Sequence, residues 1–195
     1  IYPNNRQIGY SRDALDRVKA IAEPGSAPIA SYDYIGSRLL ERVYQNNTRL
    51  TMLDDSGSQD AGYDGLGRLT QMRHIGPQGL LSGYRFGYNR ENHKTYSEDL
   101  LYPQISQLFS YDSAYRLVEV KRGLLSQGKD AIVGVLQATS QSWRHDGVGN
   151  WSSTTSLDLT QNCCSAPTVS SQTNSNVVNE MNEYDRFGET PQGHN

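Results

Sequence analysis

The chain has 195 residues, a formal net charge of −3 at pH 7 and a hydrophobic fraction of 35%. The slight negative charge argues against a protein that binds nucleic acid through a basic surface, and no apolar run approaches the roughly 18 residues of a membrane-spanning helix. Thirteen Tyr against three Phe, together with 18 Gly, favour strands and turns over helices. The chain begins at Ile1 without a targeting signal, and we expect it to be a fragment of a longer protein.

One compact turn signal begins at Tyr63 and has the sequence Tyr-Asp-Gly-Leu-Gly-Arg-Leu. Asp64 can accept backbone N–H bonds at the start of the turn, and Gly67 can adopt positive φ without steric cost. A type I turn followed by a left-handed residue closes a hairpin with a bulge. Counting outward places Tyr63 opposite Leu69 on one face and brings Arg68 to Asp64. The pattern therefore predicts a hairpin with an aromatic–aliphatic pair and an acid–base pair.

Degraded copies of this motif precede it in the chain. The first spans residues 10–18, beginning at Tyr10, and has Asp16 at the glycine position, which Asp tolerates better than most residues. The second spans residues 32–39 with Tyr-Asp at its start and one extra residue after its glycine. We expect its register to slip or bulge. A further turn is predicted at the Asn-Asn pair 46–47.

Two copies follow the clearest one, and both alter its glycine position. The fourth copy, residues 84–94, has Asn89 and Asn92 in place of Asp and Gly, and Asn suits both turn positions. The fifth copy keeps four fixed positions: Tyr111, Asp112, Arg116 and Leu117. Its glycine position holds Tyr115, which would sit in a left-handed conformation at a cost of roughly 1 kcal/mol. We therefore predict that Tyr115→Gly stabilises the fold.

The sixth copy restores the turn with Asp146 and Gly149. By the same counting, Trp143, His145 and Trp151 fall on one face of its hairpin. These three side chains are candidate ligand contacts, because aromatic faces on a sheet offer platforms for carbohydrate. Packing against neighbouring residues is the alternative for each of them.

Two segments interrupt the repeat. Residues 124–139 include a short apolar run that periodicity does not assign to a helix or a buried strand. Residues 152–175 are rich in Ser, Thr, Asn and Gln, and a long hairpin loop or disorder is expected around Cys163 and Cys164. Adjacent cysteines do not easily meet disulfide geometry. A strained vicinal disulfide, two free thiols and links to another chain all stay open.

A seventh, worn copy is predicted at residues 175–181, followed by half a copy that begins at Tyr184. Each unit of the repeat is too small to bury a face alone, so neighbouring units must stack. The Asp and Arg residues recur at successive turns, which indicates a structural device rather than a catalytic pair. No metal-ligand spacing appears among the four His, and no nucleophile elbow or phosphate-binding loop occurs. We predict a protein that is not an enzyme and has no cofactor and no metal site.

The repeated motif resembles that of the YD-repeat family, also called Rhs repeats, whose signature is Tyr-Asp-x-x-Gly-Arg-Leu. The copy at residues 63–69 matches every fixed position, and the copies at 32–39, 111–117 and 146–151 match most of them. The resemblance covers residues 8–189. In Rhs polymorphic toxins, Tc toxin shell subunits and teneurins, such repeats wind into a β-strand ribbon that encloses a toxin or presents a surface for adhesion.

This resemblance implies an all-β fold of successive antiparallel β-hairpins that form a ribbon or arc of a shell. It implies one repeat array over residues 1–189, followed by a polar tail at 190–195. The implied function is a structural segment of a secreted or cell-surface bacterial protein, whose partners are the rest of the shell and a toxin or effector cargo. The alternative is an adhesin or a carbohydrate-binding module that uses exposed Tyr and Trp to bind a cell-surface glycan. Cutting such a ribbon exposes strand edges, so the isolated chain is expected to self-associate or to be only marginally stable.

Overall fold

The computed structural model describes residues 5–53, 62–133, 137–160, 168–175, 177–178 and 184–186. These ranges hold fifteen β-strands and one turn of 3-10 helix, Pro103–Ile105, and no α-helix. The strands are β1 (Gly9–Arg12), β2 (Val18–Ala22), β3 (Ala30–Ile35), β4 (Arg38–Tyr44), β5 (Arg49–Thr51), β6 (Gln71–Gly76), β7 (Gly79–Tyr88), β8 (Lys94–Asp99), β9 (Gln107–Tyr111), β10 (Leu117–Arg122), β11 (Gln137–His145), β12 (Trp151–Thr160), β13 (Thr168–Ser175), β14 (Val177–Val178) and β15 (Tyr184–Arg186).

Strands β1 to β13 form one open antiparallel sheet in which the strand order is the chain order. Strands β14 and β15 pair with each other in a separate two-stranded sheet. The predicted all-β fold of successive antiparallel hairpins is therefore confirmed. In the part of the chain that the structure describes, no helix is long and apolar enough to cross a membrane.

The chain divides into two compact units, Ile1–Phe86 with Asp99–Leu101, and Gly87–Glu98 with Tyr102–Asn195. Among the described residues of the first unit, the buried apolar side chains are Ala30, Leu40, Leu50 and Met52. The neighbouring Thr51 is also buried, and because successive strand residues point to opposite faces, both faces of β5 are covered. In the second unit, Leu125 and Ser106 are buried.

The interrupting segment after β10 forms a small hairpin loop as far as Val133. Leu125 and Ile132 form an antiparallel bridge, and Lys129 takes a left-handed conformation with φ of 59° in the turn between them. The sequence did not decide between a helix and a strand here, and the described part of the segment forms no helix. Residues 134–136 lie outside the described residues.

The polar region after the sixth copy is a long hairpin. Strands β12 and β13 pair at every position from Ser153 opposite Ser175 to Thr160 opposite Thr168. Their connection, which contains Cys163 and Cys164, lies outside the described residues.

The predicted seventh copy is wrong. Its central residues, Val177–Val178, are extended in β14 and pair with Tyr184–Arg186, so they do not form a turn. The strand of the terminal half-copy, β15, takes β14 as its partner. The Tyr-Asp pair at 184–185 therefore lies inside a strand rather than at the start of a turn.

Candidate functional site

A single carboxylate holds the turn that follows Tyr63. Oδ1 of Asp64 accepts hydrogen bonds from the backbone N–H of Leu66 at 3.0 Å and of Arg68 at 2.9 Å. Oδ2 of Asp64 accepts a bond from Nε of Arg68 at 2.6 Å. The backbone closes with Asp64 N–H bonded to the Arg68 carbonyl at 3.0 Å, and Gly67 adopts a φ of 75°. In this turn, Asp64 accepts the backbone N–H bonds, Gly67 is the left-handed residue and Arg68 pairs with the acid.

The same contacts recur in other copies. In each, an Asp side chain accepts a bond from the backbone N–H four residues later and from the side chain of that residue. The pairs are Asp13 with Arg17, Asp112 with Arg116, and Asp146 with Asn150. In the fourth copy, Oδ1 of Asn89 accepts the backbone N–H of His93 at 2.8 Å. The turn therefore keeps its geometry when its residues change.

The left-handed residue of each turn is also retained. The φ angles are 62° at Asp16, 75° at Gly67, 70° at Asn92, 64° at Tyr115 and 102° at Gly149. The prediction that Tyr115 sits in a left-handed conformation is confirmed. Its turn is built like the others in spite of the bulky side chain.

Strand register identifies the residue that plays the part of Tyr63 in each hairpin. We call it the tyrosine position, and the residue opposite it the leucine position. Tyr63 lies opposite Leu69, as predicted, and Tyr111 lies opposite Leu117. In the second copy, Ile35 pairs with Arg38 across a two-residue turn, so Tyr34 lies opposite Leu39, and the register then shifts between Asp33 and Tyr34. A shift of register was expected, but Tyr34 rather than Tyr32 takes the tyrosine position.

The first copy also differs from its sequence alignment. Arg12 lies opposite Val18 at the tyrosine position. Tyr10 instead lies opposite Ile21 and is 60% exposed. The first hairpin therefore has an arginine where later hairpins have an aromatic residue.

Three of these tyrosine hydroxyls donate a hydrogen bond to the preceding hairpin. The donor and acceptor pairs are Tyr34 Oη with the Val18 carbonyl at 2.9 Å, Tyr63 Oη with the Leu39 carbonyl at 2.7 Å, and Tyr111 Oη with the Lys94 carbonyl at 2.9 Å. Every acceptor is the leucine position of the copy before. These bonds join hairpins that are neighbours in the repeat.

A basic side chain of the preceding copy covers the same ring. The Arg17 guanidinium lies 4.5 Å from the ring centre of Tyr34, and that of Arg38 lies 5.6 Å from the ring centre of Tyr63. In the fifth copy the His93 ring lies 4.9 Å from that of Tyr111. The two guanidinium groups are cations, which the ring quadrupole attracts, whereas His93 and Tyr111 make a ring–ring contact. We call the set of tyrosine, preceding carbonyl and preceding basic side chain the junction.

The basic side chains reach onward to the next turn. Arg17 donates from Nη1 to the Gly36 carbonyl, and Arg116 donates from Nη1 to the Asp146 carbonyl at 3.2 Å. At Gly67 the missing side chain makes room, because a Cβ there would lie 1.7 Å from Nη2 of Arg38. Within each unit the motif turns alternate with other connections, so antiparallel pairing places them at one end of the strands.

The electrostatics follow from these contacts. The pKa of the Asp64 carboxyl is lowered, chiefly by the backbone N–H of Arg68 and then by the Arg68 side chain. The pKa of Asp112 is lowered by the same groups of Arg116. Burial raises the pKa of the Tyr63 hydroxyl, and the nearby Arg38 charge opposes that rise. The turns therefore hold ionised acids and neutral, hydrogen-bonding phenols.

The sixth hairpin carries the aromatic cluster that the sequence predicted. Trp143 and Trp151 have ring centres 6.2 Å apart at 37°, and His145 lies opposite Trp151. Trp151 is 40% exposed. Strand alternation puts Gln141 on the same face as Trp143. A polar groove of about 340 Å³ there is lined by Gln107, Val120, Arg122, Thr139, Ser140, Gln141, Ser156 and Gln172.

The sequence predicted the turn but missed the junction. The sequence carried no signal for it, because Asp33 precedes Arg38 in the second copy, and only the structure places Asp33 in β3, outside the turn. An arginine retained without an acid partner has another role, which here is to cover Tyr63. Among the described residues, no group of three or more His, Cys, Asp or Glu side chains is placed to hold a metal ion.

The turn and the junction together define a repeat protein built from hairpins that are locked at their turns. Solved structures with a similar fold are those of TcdB2-TccC3-TEV (TM-score 0.58, 14% identity, 88% of this chain) and TcdB2-TccC3-Cdc42 (0.59, 14%, 90%). A third is TcdB2-TccC3 without its hypervariable C-terminal region (0.60, 13%, 92%). The matches span 9% of each of those chains, and identities this low show a shared fold. No protein-family model and no curated protein matches the chain.

Proposed function

We propose that the chain is a non-enzymatic structural segment of a secreted or cell-surface bacterial YD-repeat protein. It forms part of a β-shell that encloses or displays a toxin or effector domain. The observation that carries this proposal is the junction, because the same tyrosine, carbonyl and basic side chain join successive hairpins. A device that recurs at three hairpins serves architecture, since a catalytic constellation is assembled at one place.

The mechanism is enclosure by a continuous wall. Each hairpin is too small to bury a face alone, and the junction couples it to its neighbour through side chains as well as through the sheet. In this proposal, the repeat array runs over residues 1–189 and the polar tail over 190–195. Its partners are the rest of the parent shell and the enclosed domain, with no nucleic acid.

The fold similarity supports this proposal. The TcdB2-TccC3 structures cover about nine tenths of this chain, and their names combine TcdB2-TccC3 with TEV in one case and with Cdc42 in another. Tc toxin shell subunits belong to the family that the motif resembles. A sequence whose turns are alike and whose other loops differ is consistent with an arc of such a shell.

Protease protection tests the proposal in the longer protein that carries this segment. We expect the domain beyond the repeat region to resist digestion while the shell is intact. Replacing Tyr63 and Arg38 by Ala opens one junction and should make that domain digestible. Leu66→Ala is the matched control, because Leu66 is 75% exposed in the turn beside that junction. Equal digestion of all three proteins, with the terminal domain cleaved throughout, would contradict enclosure.

A carbohydrate-binding surface is the second candidate function. The Trp143–Trp151 pair lies on the same face as the polar groove of amide and hydroxyl side chains. Sugars stack their C–H faces on aromatic rings and bond their hydroxyl groups to amides, so this combination favours a cell-surface glycan.

A glycan array tests this second function. If it is right, Trp151→Ala should abolish specific binding. Val148→Ala, in the turn of the same hairpin and 78% exposed, should leave binding unchanged. No specific glycan bound by the unaltered chain would reject the carbohydrate function and leave the structural one.

A further inference from the structure

The first edge strand of the sheet is protected against pairing with another chain. Strand β1 has four residues, and its register with β2 is interrupted between Ser11 and Arg12. Nε of Arg12 lies 3.5 Å from Oδ1 of Asp16, which keeps charge at this edge. Short length, bulges and charged side chains are the devices that stop strand edges from pairing. Strand β1 combines all three.

The other edge strand, β13, has none of these devices. Its sequence Thr-Val-Ser-Ser-Gln-Thr-Asn-Ser contains no charge, no Pro and no Gly. It pairs with β12 over eight successive positions without a register shift. At about 3.3 Å per residue, it offers roughly 26 Å of regular backbone. Long, regular and uncharged edges accept another strand.

The described residues that follow β13 do not cover this edge. Strand β14 pairs with β15 in a sheet of its own. In the described part of the chain, β13 therefore has one hydrogen-bonded neighbour, β12. Among the described residues, no strand pairs with the outward-facing N–H and C=O groups of β13.

We propose that the outer edge of β13 pairs antiparallel with β13 of a second molecule of this protein. The edge is self-complementary, because an uncharged strand meets no like-charge repulsion from the same strand of another molecule. A two-fold axis between two such strands gives a closed, isologous interface. Strand β1 offers half the length and a charged bulge, so it competes poorly. This inference is independent of the proposed function, which concerns a longer protein.

The experiment measures the mass of the isolated chain by light scattering after gel filtration. A reducing agent is present throughout, so that Cys163 and Cys164 form no links between chains. We expect a dimer whose share rises with concentration. The variant S171K/Q172K places one positive charge on each face at the middle of β13. Symmetric pairing brings each of these charges close to a positive charge of the partner molecule. Like charges opposite each other destabilise strand pairs, and the dissociation constant should rise roughly tenfold or more.

Two controls separate this interface from general surface effects. S171E/Q172E should also weaken the dimer, whereas a mixture of the Lys and Glu variants should form a heterodimer. Ser11→Lys, on the β1 edge, should leave the dimer unchanged. A monomer at all concentrations would overturn the proposal, as would a failure of the mixture to associate. Loss of the dimer in Ser11→Lys alone would assign the interface to β1 instead.

Discussion

Tyr63 brings two separable groups to its junction. Its ring lies opposite Leu69 and beneath the Arg38 guanidinium, and its hydroxyl donates to the Leu39 carbonyl. The ring and the hydroxyl therefore contribute through different interactions. A substitution that removes one and keeps the other measures the hydrogen bond alone.

Tyr63→Phe should lower the free energy of unfolding by about 0.5–1.5 kcal/mol, the net value of a hydrogen bond. The phenyl ring keeps its packing, while the Leu39 carbonyl loses its donor. Urea denaturation of the whole chain provides the measurement. Tyr10→Phe is the matched control, since Tyr10 is 60% exposed. If the two variants are equally stable, the hydroxyl bond contributes nothing to stability.

Tyr115 is subject to two opposing effects. The sequence predicts that Tyr115→Gly stabilises the fold by relieving a left-handed conformation, and the φ of 64° supports that reasoning. The structure adds an attraction, because the Tyr115 ring stacks on His93 at 5.2 Å and 21°. Strain of about 1–2 kcal/mol is thus offset by a ring contact of about 0.5–1.5 kcal/mol.

A double-mutant cycle separates these effects. In the unaltered chain, Tyr115→Gly should change the free energy of unfolding by less than about 1 kcal/mol. In a His93→Ala background the ring contact is already lost, so Tyr115→Gly should stabilise by about 1 kcal/mol. Thermal unfolding of the four proteins gives the coupling free energy. Identical effects in both backgrounds would mean that the stacking contact has no energetic weight.

At the scale of the hairpin, two neighbouring glycines offer a matched comparison. Gly67→Ala forces a side chain into a φ of 75° and against the Arg38 guanidinium. It should lower the free energy of unfolding by about 1–2 kcal/mol. A Cβ at Gly65 meets no atom within 4 Å, so Gly65→Ala should stay within about 0.5 kcal/mol of the unaltered chain. Calorimetry on both variants tests this, and equal melting temperatures would show that the turn tolerates a different geometry.

The hairpins themselves could be predicted from sequence because their turns are local. Asp64 and Gly67 are three residues apart, and their preferences alone specify how the backbone closes. The aromatic face of the sixth hairpin was predictable for the same reason, since Trp143 and Trp151 lie on either side of one turn. Local chemistry and strand alternation are sufficient for such features.

The junction could not be predicted in the same way. It depends on the register between strands, and the two-residue turn between Ile35 and Arg38 moves the tyrosine position by two residues, from Tyr32 to Tyr34. The acceptor of each hydroxyl is a backbone carbonyl in another copy. Every residue has such a carbonyl, so a sequence motif does not identify the acceptor. The prediction of a seventh copy was wrong for a similar reason. Its two Asn residues suit a turn, but the pairing of Val177–Val178 with β15 overrides that local preference.

Across the whole molecule, the turn carboxylates should make the free energy of unfolding depend on pH in the acid range. The pKa values of Asp13, Asp64, Asp112 and Asp146 are all lowered in the fold. The folded chain therefore binds fewer protons than the unfolded chain at acid pH. Their stabilisation is present above the unfolded value near 3.9 and is lost as pH falls through the lowered folded values.

Urea midpoints measured from neutral pH down to strongly acid pH should show this loss. The triple variant D13N/D64N/D112N removes three of the titrating groups, so its stability should vary less with pH than that of the unaltered chain. Asp33→Asn is the control, because Asp33 is exposed in β3 and outside the turns. An unaltered acid dependence in the triple variant would show that other groups govern acid unfolding.

The junctions give the array a direction. The hydroxyl groups of Tyr34, Tyr63 and Tyr111 each bond to a carbonyl that lies earlier in the chain. When the chain is made or exported from its amino end, the acceptor therefore emerges before its donor. Arg17 and Arg116 reach forward, but each already holds the aspartate of its own turn. Hairpins can thus be added one after another in the order of synthesis, and each completed hairpin is a template for the next.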